Sequence, residues 1–391
     1  MSQAHNILIV GGGPVGSMLA LALNQKGIPS TILEARGAGT SHQDQRALAL
    51  SYGSRLILER LGLWEMLTSQ ATPINTIHVS QRGSLGRARL RAEDHGQQAL
   101  GYVVSYGALS SALDAALAQS QHVGVIHHAK VVDIQTSADA AVVTYSVAEE
   151  KSEPIHTLDT SLAVLADGGN SLTKISGLQR HIKNYGHSAI IAKVTSELPH
   201  ENIAYERFTP AGPVALLPNG KQFSLVWTGH ESEIDKLLAL DDEQFLQALH
   251  RHFGDRVGRF VEIGQRVCFP LRQAYLNAVA MPHLAVIGNA AQTMHPVAGQ
   301  GFNIGLRDAW QLAETIGSSA QHSWGDAAML QAYQNMRKAD TKGGLLFTDF
   351  LVNVFSNDIV GLPAVRSAGL GVLDVLKPVR SKLVSKMSFG A

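Results

Sequence analysis

The sequence predicts an α/β fold in which a mainly antiparallel sheet is inserted into a parallel, helix-flanked one, with helices closing the chain. Three features carry that expectation. The apolar run Ile7–Val10 breaks into glycines, passes into an apolar helical stretch ending at Gly27, and returns as a strand at Ser30–Leu33, a βαβ opening. Between Ser176 and Pro270 longer alternating segments replace the short ones, as in an antiparallel sheet with one face covered. A strand at Leu284–Ile287 then leads into a second glycine-rich loop and a helix.

Within the βαβ opening, Gly11, Gly13 and Gly16 have the GxGxxG spacing of a dinucleotide-binding turn, which makes the unit Rossmann-like. The first glycine serves a tight turn, the second close approach of a pyrophosphate, the third close packing of helix on strand. Pro14 suits a first helical turn. The unpartnered N–H groups and positive dipole end of that helix favour an anion. Glu34 ends the second strand, where its carboxylate would accept hydrogen bonds from ribose hydroxyls. Arg36 could instead suit a 2′-phosphate, which Glu34 would repel.

Arg46 opens RALALSYGSRLILERLGLWEML, whose Leu56, Leu58, Leu61, Leu63 and Leu67 suit a one-sided helix, and Arg46 itself is placed to reach the cofactor. Ile74–Gln81 and Leu85–Leu90 read as a hairpin, followed by a strand at Gly101–Ser105 and a helix at Ala108–Ala118. Short strands are expected at Val123–Ile126, Val131–Ile134, Ala141–Val147, Ile155–Leu158 and Leu162–Leu165, the last ending in Ala166, Asp167 and Gly168. The inserted sheet is expected at Ala189–Thr195, Ile203–Phe208, Val214–Leu217 and Phe223–Thr228, then a helix at Asp242–Phe253. Phe302, Leu306, Trp310, Ala313 and Ile316 follow helical spacing. The apolar surface from Leu345 to Phe355, with Lys377, Arg380, Lys382 and Lys386 after it, reads as domain packing or as contact with a membrane surface or partner. The nucleotide domain is thus expected over residues 1–75, 100–175 and 271–340, the inserted domain over 76–99 and 176–270, and a helical region over 341–391.

At 391 residues the chain can bury a full core. Its 32 Lys and Arg balance 32 Asp and Glu, so nothing draws it toward nucleic acid. Cys268 is the only cysteine, which excludes an internal disulfide and fits reducing cytosol. No basic, then apolar leader is read at the N-terminus, no apolar run reaches the length of a membrane span, and the histidines lack metal-ligand spacing.

A single complete nucleotide fingerprint points to one tightly held cofactor and a transient reductant at most. Three segments taken together, GGGPVG at Gly11–Gly16, LADGG at Leu165–Gly169 and GNAAQTMHPVAGQGFN at Gly288–Asn303, resemble the signatures of single-component FAD-dependent aromatic hydroxylases, the para-hydroxybenzoate hydroxylase class. Within that class, AYERFTPAGPVALLP at Ala204–Pro218 and the spelling HPVAGQGFNIGLRD resemble the ubiquinone-biosynthesis hydroxylases. The resemblance implies that FAD lies with its pyrophosphate on Gly11, Gly13 and Gly16, its adenosine ribose on Glu34 and its phosphate side near Arg46. Asp167 would lie near FAD and the passing pyridine nucleotide, although Asp-Gly is also a common turn. Asn289 stands where most of the class has aspartate, and its amide can still bond a ribityl hydroxyl without supplying charge; a polyprenyl-methoxyphenol subgroup shares the asparagine.

Gly299, Gln300 and Gly301 let a backbone lie against a flat ring, and the helix after them directs its dipole there, worth roughly 0.3–2 kcal/mol to an anionic reduced flavin. Asn303 is expected in the same ring of contacts. The reaction so implied is reduction of FAD by NADPH or NADH, addition of O2 to give a flavin hydroperoxide, and oxygen transfer to a polyprenylated phenol. His295, beside Pro296, is the titratable group nearest the ring-binding loop and a candidate base, with a packing role as its alternative. Tyr205, Arg207 and Phe208 are candidates to face the substrate. The resemblance also places the protein in the cytoplasm, touching the inner membrane face where its lipid-soluble substrate resides, with other ubiquinone-biosynthesis proteins as possible partners. Alternatives on the same scaffold are a halogenase or prenyl reductase, or a non-catalytic flavoprotein subunit of a biosynthetic assembly. Trp64, Trp227, Trp310 and Trp324 do not form the WxWxIP signature of halogenases.

Overall fold

The structure, a computed structural model, describes residues 5–83, 86–148, 154–209, 212–293, 300–338 and 376–390, with single positions 343, 371 and 374. His295, Pro296, Gly299 and the apolar stretch Leu345–Phe355 lie outside the described residues.

Strand β1 (His5–Val10), helix α1 (Pro14–Gln25) and strand β2 (Ser30–Leu33) form the expected βαβ opening. Ile7, Leu8 and Ile9 have no exposed surface, because β1 is central and both its faces are covered. The stretch after Arg46 departs from an unbroken helix. Ala47–Ser51 is strand β3, and helices α2 (Tyr52–Arg60) and α3 (Trp64–Leu67) follow. The switch falls at Ser51, whose hydroxyl accepts from Ser54 N and caps α2. Next come β4 (Thr72–Ile74), the hairpin β5 (Thr76–Gln81) and β6 (Arg87–Arg91), β7 (Gly101–Ser105), α4 (Tyr106–Ala118), β8 (Val123–Ile126), β9 (Ala129–Thr136) and β10 (Ala141–Val147).

Strand β11 (Ile155–Leu165) is continuous, where the sequence suggested two short strands. Its polar first half pairs antiparallel with β10, while its apolar second half lies parallel to β1. The change of neighbours explains the change of composition.

The inserted sheet comprises β12 (Arg180–Ser196), β13 (Ile203–Phe208), β14 (Val214–Asn219), β15 (Gln222–His230), β16 (Phe260–Ile263) and β17 (Val267–Leu276), with helices α5 (Glu231–Leu238) and α6 (Asp242–Phe253) between β15 and β16. The expected boundary at residue 270 falls inside β17, which pairs with β12 as far as Leu276. After β18 (Ala280–Met281) and β19 (Leu284–Val286), β20 (Gln292–Thr293) pairs back onto β17, and α7 (Gln300–Gly317) follows.

One sheet runs β18-β19-β11-β1-β2-β8, with β10 and β9 attached beyond β11; β1, β2, β8, β11 and β19 are mutually parallel. The second runs β20-β17-β12-β15-β14-β13-β5-β6, with β16 beside β12, and is antiparallel except between β13 and β5. A small third sheet, β3-β7-β4, lies between them in sequence and contact: Val103 and Ile74 pack on Ala204 of β13. Helix α6 covers one face of the inserted sheet, with Phe245, Leu249 and Phe253 packed on Leu216, Leu225 and Trp227. The C-terminal helix Lys377–Phe389 ties the domains together. Its Val384 joins Leu90 and Leu100, and Tyr52 meets Phe389 edge-on at 6.3 Å. Among the described residues no helix is long and apolar enough to cross a membrane.

Candidate active site

Three stretches far apart in sequence meet at the carboxyl ends of β1, β11 and β19. Gly11 has φ +103°, and a Cβ there would lie 2.7 Å from Asp167 Cα, so the first glycine loop rests directly on the turn after β11. A Cβ on Gly169 would lie 3.6 Å from Ala290 Cα, which brings that turn against the third segment. The third segment in turn clasps the first helix. Cβ atoms on Gly288 and Gly305 would lie 3.2 Å and 3.0 Å from Val15 methyl groups.

Gly16 is required by packing, since a Cβ would collide with Gly11 O and sit 3.3 Å from Ala166 Cβ. Gly13 is different. Its φ of −69° suits any residue, and the nearest atom to a Cβ there is the Tyr106 hydroxyl at 3.8 Å. Nothing in the folded chain demands glycine at position 13; the open space in front of it, at the N-terminus of α1, does.

Glu34, at the end of β2, closes on the first glycine loop. Its Oε2 accepts from Gly12 N at 2.7 Å, and its Oε1 accepts from Arg36 N and Nε at 2.9 and 2.8 Å. Burial pushes its pKa up, but the Arg36 and Gly12 hydrogen bonds outweigh this and hold the carboxyl below its ordinary value. Arg36, the other reading at this position, is thus Glu34's partner. Gly12, Glu34, Arg36, Ser110, Leu113 and Val125 line a cleft beside it. Arg46 is exposed and ion-paired to Asp44 at 2.5 Å, with its guanidinium 4.9 Å over the Tyr106 ring that also borders Gly13.

The Asp167 carboxylate accepts from Gly169 N at 2.9 Å and Ser171 N at 2.8 Å, so it shapes the turn it belongs to. Asn289 is exposed within a short 3-10 turn, Gly288–Ala290. Gln300 is buried and begins α7, with Gly301 behind it. Asn303 does not face an open ring of contacts. Its Oδ1 accepts from Ser51 N at 2.8 Å and Ser54 Oγ at 2.7 Å, and its Nδ2 donates to Ala49 O at 2.9 Å. It fastens the start of α7 to the turn between β3 and α2.

Asp308, passed over in the sequence, holds the third segment. Its Oδ2 accepts from Gly288 N at 2.9 Å and Gln292 Nε2 at 2.8 Å, while its Oδ1 lies 2.5 Å from Arg337 Nε. Both side chains are 3% exposed, so each charge depends on the other. Burial raises the pKa of Asp308 despite Arg337 and the two hydrogen bonds. The available signal was an acid inside an otherwise apolar helical period; its arginine lies in a later stretch of the chain.

The inserted sheet supplies a wall. Tyr205 and Arg207 face α6, not the nucleotide domain: the Tyr205 ring lies 5.5 Å from Phe253, and Arg207 Nε donates to His252 O at 3.0 Å. Alternation along β13 therefore puts Ala204, Glu206 and Phe208 on the opposite face. Of Tyr205, Arg207 and Phe208, only Phe208 lies on that face. Glu206 stands in register with Val79 and Ala215, and Ala215 with Val226 and then Ile191, all half-buried. It is the carboxylate in that apolar row, and burial pushes its pKa up to about 7.

A glycine loop at a helix N-terminus, an acid after the second strand that closes on it and a third loop docked on the same helix are the layout of a Rossmann-type dinucleotide-binding protein. The chain belongs to the FAD binding domain family, which matches residues 4–344. It is 34% identical over 386 residues to ubiquinone hydroxylase UbiL of Rhodospirillum rubrum, spanning 97% of this chain and 88% of that protein. To 3-demethoxyubiquinol 3-hydroxylase of Escherichia coli it is 29% identical, over 94% of each chain. Among solved structures it is similar to p-nitrophenol 4-monooxygenase PnpA from Pseudomonas putida DLL-E4, with TM-score 0.80 and 16% identity over 100% of this chain and 99% of that one. The flavin-dependent brominase Bmp2 shares the fold at TM-score 0.78 and 15% identity, covering 98% and 93%.

Proposed function

We propose that this FAD-dependent hydroxylase inserts one oxygen atom of O2 into the ring of a polyprenylated phenol in ubiquinone biosynthesis, with NADPH or NADH as transient reductant. The observation that carries the reading is the half-buried apolar row Val79, Ala215, Val226 and Ile191 around the Glu206 carboxylate, on the face of the inserted sheet away from α6. Such a wall suits a greasy ring that bears one ionisable hydroxyl. The names of the UbiL and 3-demethoxyubiquinol relatives support the pathway.

Gly11, Gly13 and Gly16 with the α1 N-terminus would hold the FAD pyrophosphate, Glu34 the ribose, and Arg46 the phosphate side. Asp167 would lie near FAD and the passing pyridine nucleotide, Asn289 would meet a ribityl hydroxyl, and Gln300 and Gly301 would present the α7 N-terminus to the ring. The bound flavin supplies O2 activation. The chain's own work is to exclude water, to hold the phenol's ring carbon in place and to receive its proton. We assign proton acceptance to Glu206, whose raised pKa suits a base near neutrality. His295, beside Pro296, is the loop candidate for the same step. A lipid-soluble substrate calls for a cytoplasmic enzyme peripheral to the inner membrane, near other ubiquinone-biosynthesis proteins.

The test is NAD(P)H oxidation by the purified flavoprotein with short-chain prenylated phenols, with mass spectrometry of the product. Substrate-stimulated oxidation and a gain of one oxygen support the reading. A halogenated or chain-reduced product, or no stimulation by any phenol, overturns it. Quinone precursors that accumulate in a deletion strain then identify the substrate.

A further inference from the structure

On the α6 face of the inserted sheet, at its β6 edge, lies a cavity of about 610 Å³ that the oxygenase reading does not use. Arg87, Arg89 and Arg91 alternate along β6 and line it together, because every second side chain of a strand shares a face. Arg256, from the loop after α6, faces them across the opening. The intervening Ala88 and Leu90 turn the other way and are buried, Leu90 against Val384 of the C-terminal helix.

Charge in this bowl is not balanced. Arg91 pairs with Glu93 at 3.2 Å and the Asp374 carboxylate accepts from the Arg89 backbone N–H at 3.0 Å, but among the described residues the guanidinium groups of Arg87, Arg89 and Arg256 have no carboxylate or hydrogen-bond partner. The floor is polar and also unpartnered. His78, 6% exposed, leaves its buried Nδ1 without a hydrogen bond, and so does Gln97 with its Oε1. The His78 ring lies 5.7 Å from that of Tyr205 and is tilted 50° to it, so two aromatic rings stand beside the arginines. Burial first, then Arg256, Arg89 and Arg87, hold the His78 pKa down to about 4, as expected of a neutral ring in an uncompensated positive field.

Protection of an edge strand accounts for charge on β6. It does not account for Arg256, for the concave shape, or for two buried polar atoms left open at the floor. We propose that this cavity is a second ligand site, taking a small molecule with two or more phosphate charges and the size of a nucleoside diphosphate. Guanidinium forks match phosphate oxygens two at a time, the volume falls within the usual range for small-molecule sites, and Gln97 Oε1 offers an acceptor to a ligand N–H or O–H. The site is separate from the flavin cradle. His78 and Tyr205 project from β5 and β13 on the face opposite Val79 and Glu206, so a molecule held here lies behind the substrate wall.

The test is calorimetric titration of the full-length, flavin-loaded protein with pyrophosphate and with ADP at low and high salt. The expected result is saturable binding that weakens with salt, and a loss of roughly ten-fold or more in affinity in Arg89→Ala/Arg256→Ala with flavin content unchanged. Lys382→Ala, on the exposed side of the C-terminal helix, should bind as the parent does. Should the double variant fold poorly, the single changes Arg87→Ala and Arg256→Ala at exposed side chains are read instead. Absence of binding by both probes, or undiminished affinity in the arginine variants, overturns the proposal. So does binding only to phosphatidylglycerol vesicles, which would make the patch a membrane contact.

Discussion

Gly11 and Gly13 are neighbours in one loop and are glycine for different reasons. Gly11 combines φ +103° with a backbone atom of Asp167 only 2.7 Å from where a Cβ would sit. Gly11→Ala should therefore destabilise the protein itself, by about 2 kcal/mol or more, in a denaturant titration of the flavin-free form. Glu206 gives a pH-dependent prediction. Its folded pKa is raised to about 7 from an ordinary 4.5, so the folded state is the one that holds the proton. Stability from that group is full below about pH 4.5 and declines as pH rises toward 7. Glu206→Gln should then match the parent near pH 4.5 and exceed it above neutrality, by on the order of 2 kcal/mol, in melts across pH. In turnover, the rise of kcat/KM through neutral pH should flatten in the same variant; an unchanged profile would shift the proton-accepting role to His295. The GxGxxG glycines and Glu34 could be picked out as candidates from local spacing, and Asp167 from the resemblance of its segment. Glu206 could not, since its significance depends on which face of β13 meets α6.

At the level of elements, α7 is held by two polar devices. Asp308 anchors Gly288 and Gln292 and is itself matched by Arg337 in a fully buried pair. Asp308→Ala strands the arginine and frees the third segment, so a loss of about 3–5 kcal/mol is expected by chemical denaturation, with reduced flavin retention. Asn303→Ala leaves Ser51 N and Ala49 O without partners and should cost about 1–3 kcal/mol on the same measure. Periodicity located most elements, because a helix or strand with one covered face advertises its period. It failed where partners change along an element. Ala47–Ser51 was included in the helical reading of a stretch whose later leucines, from Leu56 to Leu67, suit a helix, and only pairing with β7 makes it a strand. β11 was split because its two halves have different neighbours. The strand β17 went unread and the domain boundary was drawn through it, as Pro270 reads as a strand breaker and polar Gln273 occupies one of its buried positions.

For the whole molecule, the sequence offered three candidate cofactor segments, and the fold shows that they touch. Gly11 on Asp167, Gly169 against Ala290, and Gly288 and Gly305 around Val15 are contacts no local pattern can state, because each joins distant parts of the chain. The arginine bowl was invisible for the same reason, since Arg256 joins the β6 arginines only in space. The central claim is that this junction cradles one FAD, and Gly13 isolates it, being free of any packing demand from the chain. The deciding measurement is the flavin absorbance of purified Gly13→Val alongside its unfolding curve in the flavin-free state. The account predicts a folded protein, as stable as the flavin-free parent, that has lost its yellow cofactor. A Gly13→Val protein that keeps its full flavin spectrum would contradict it.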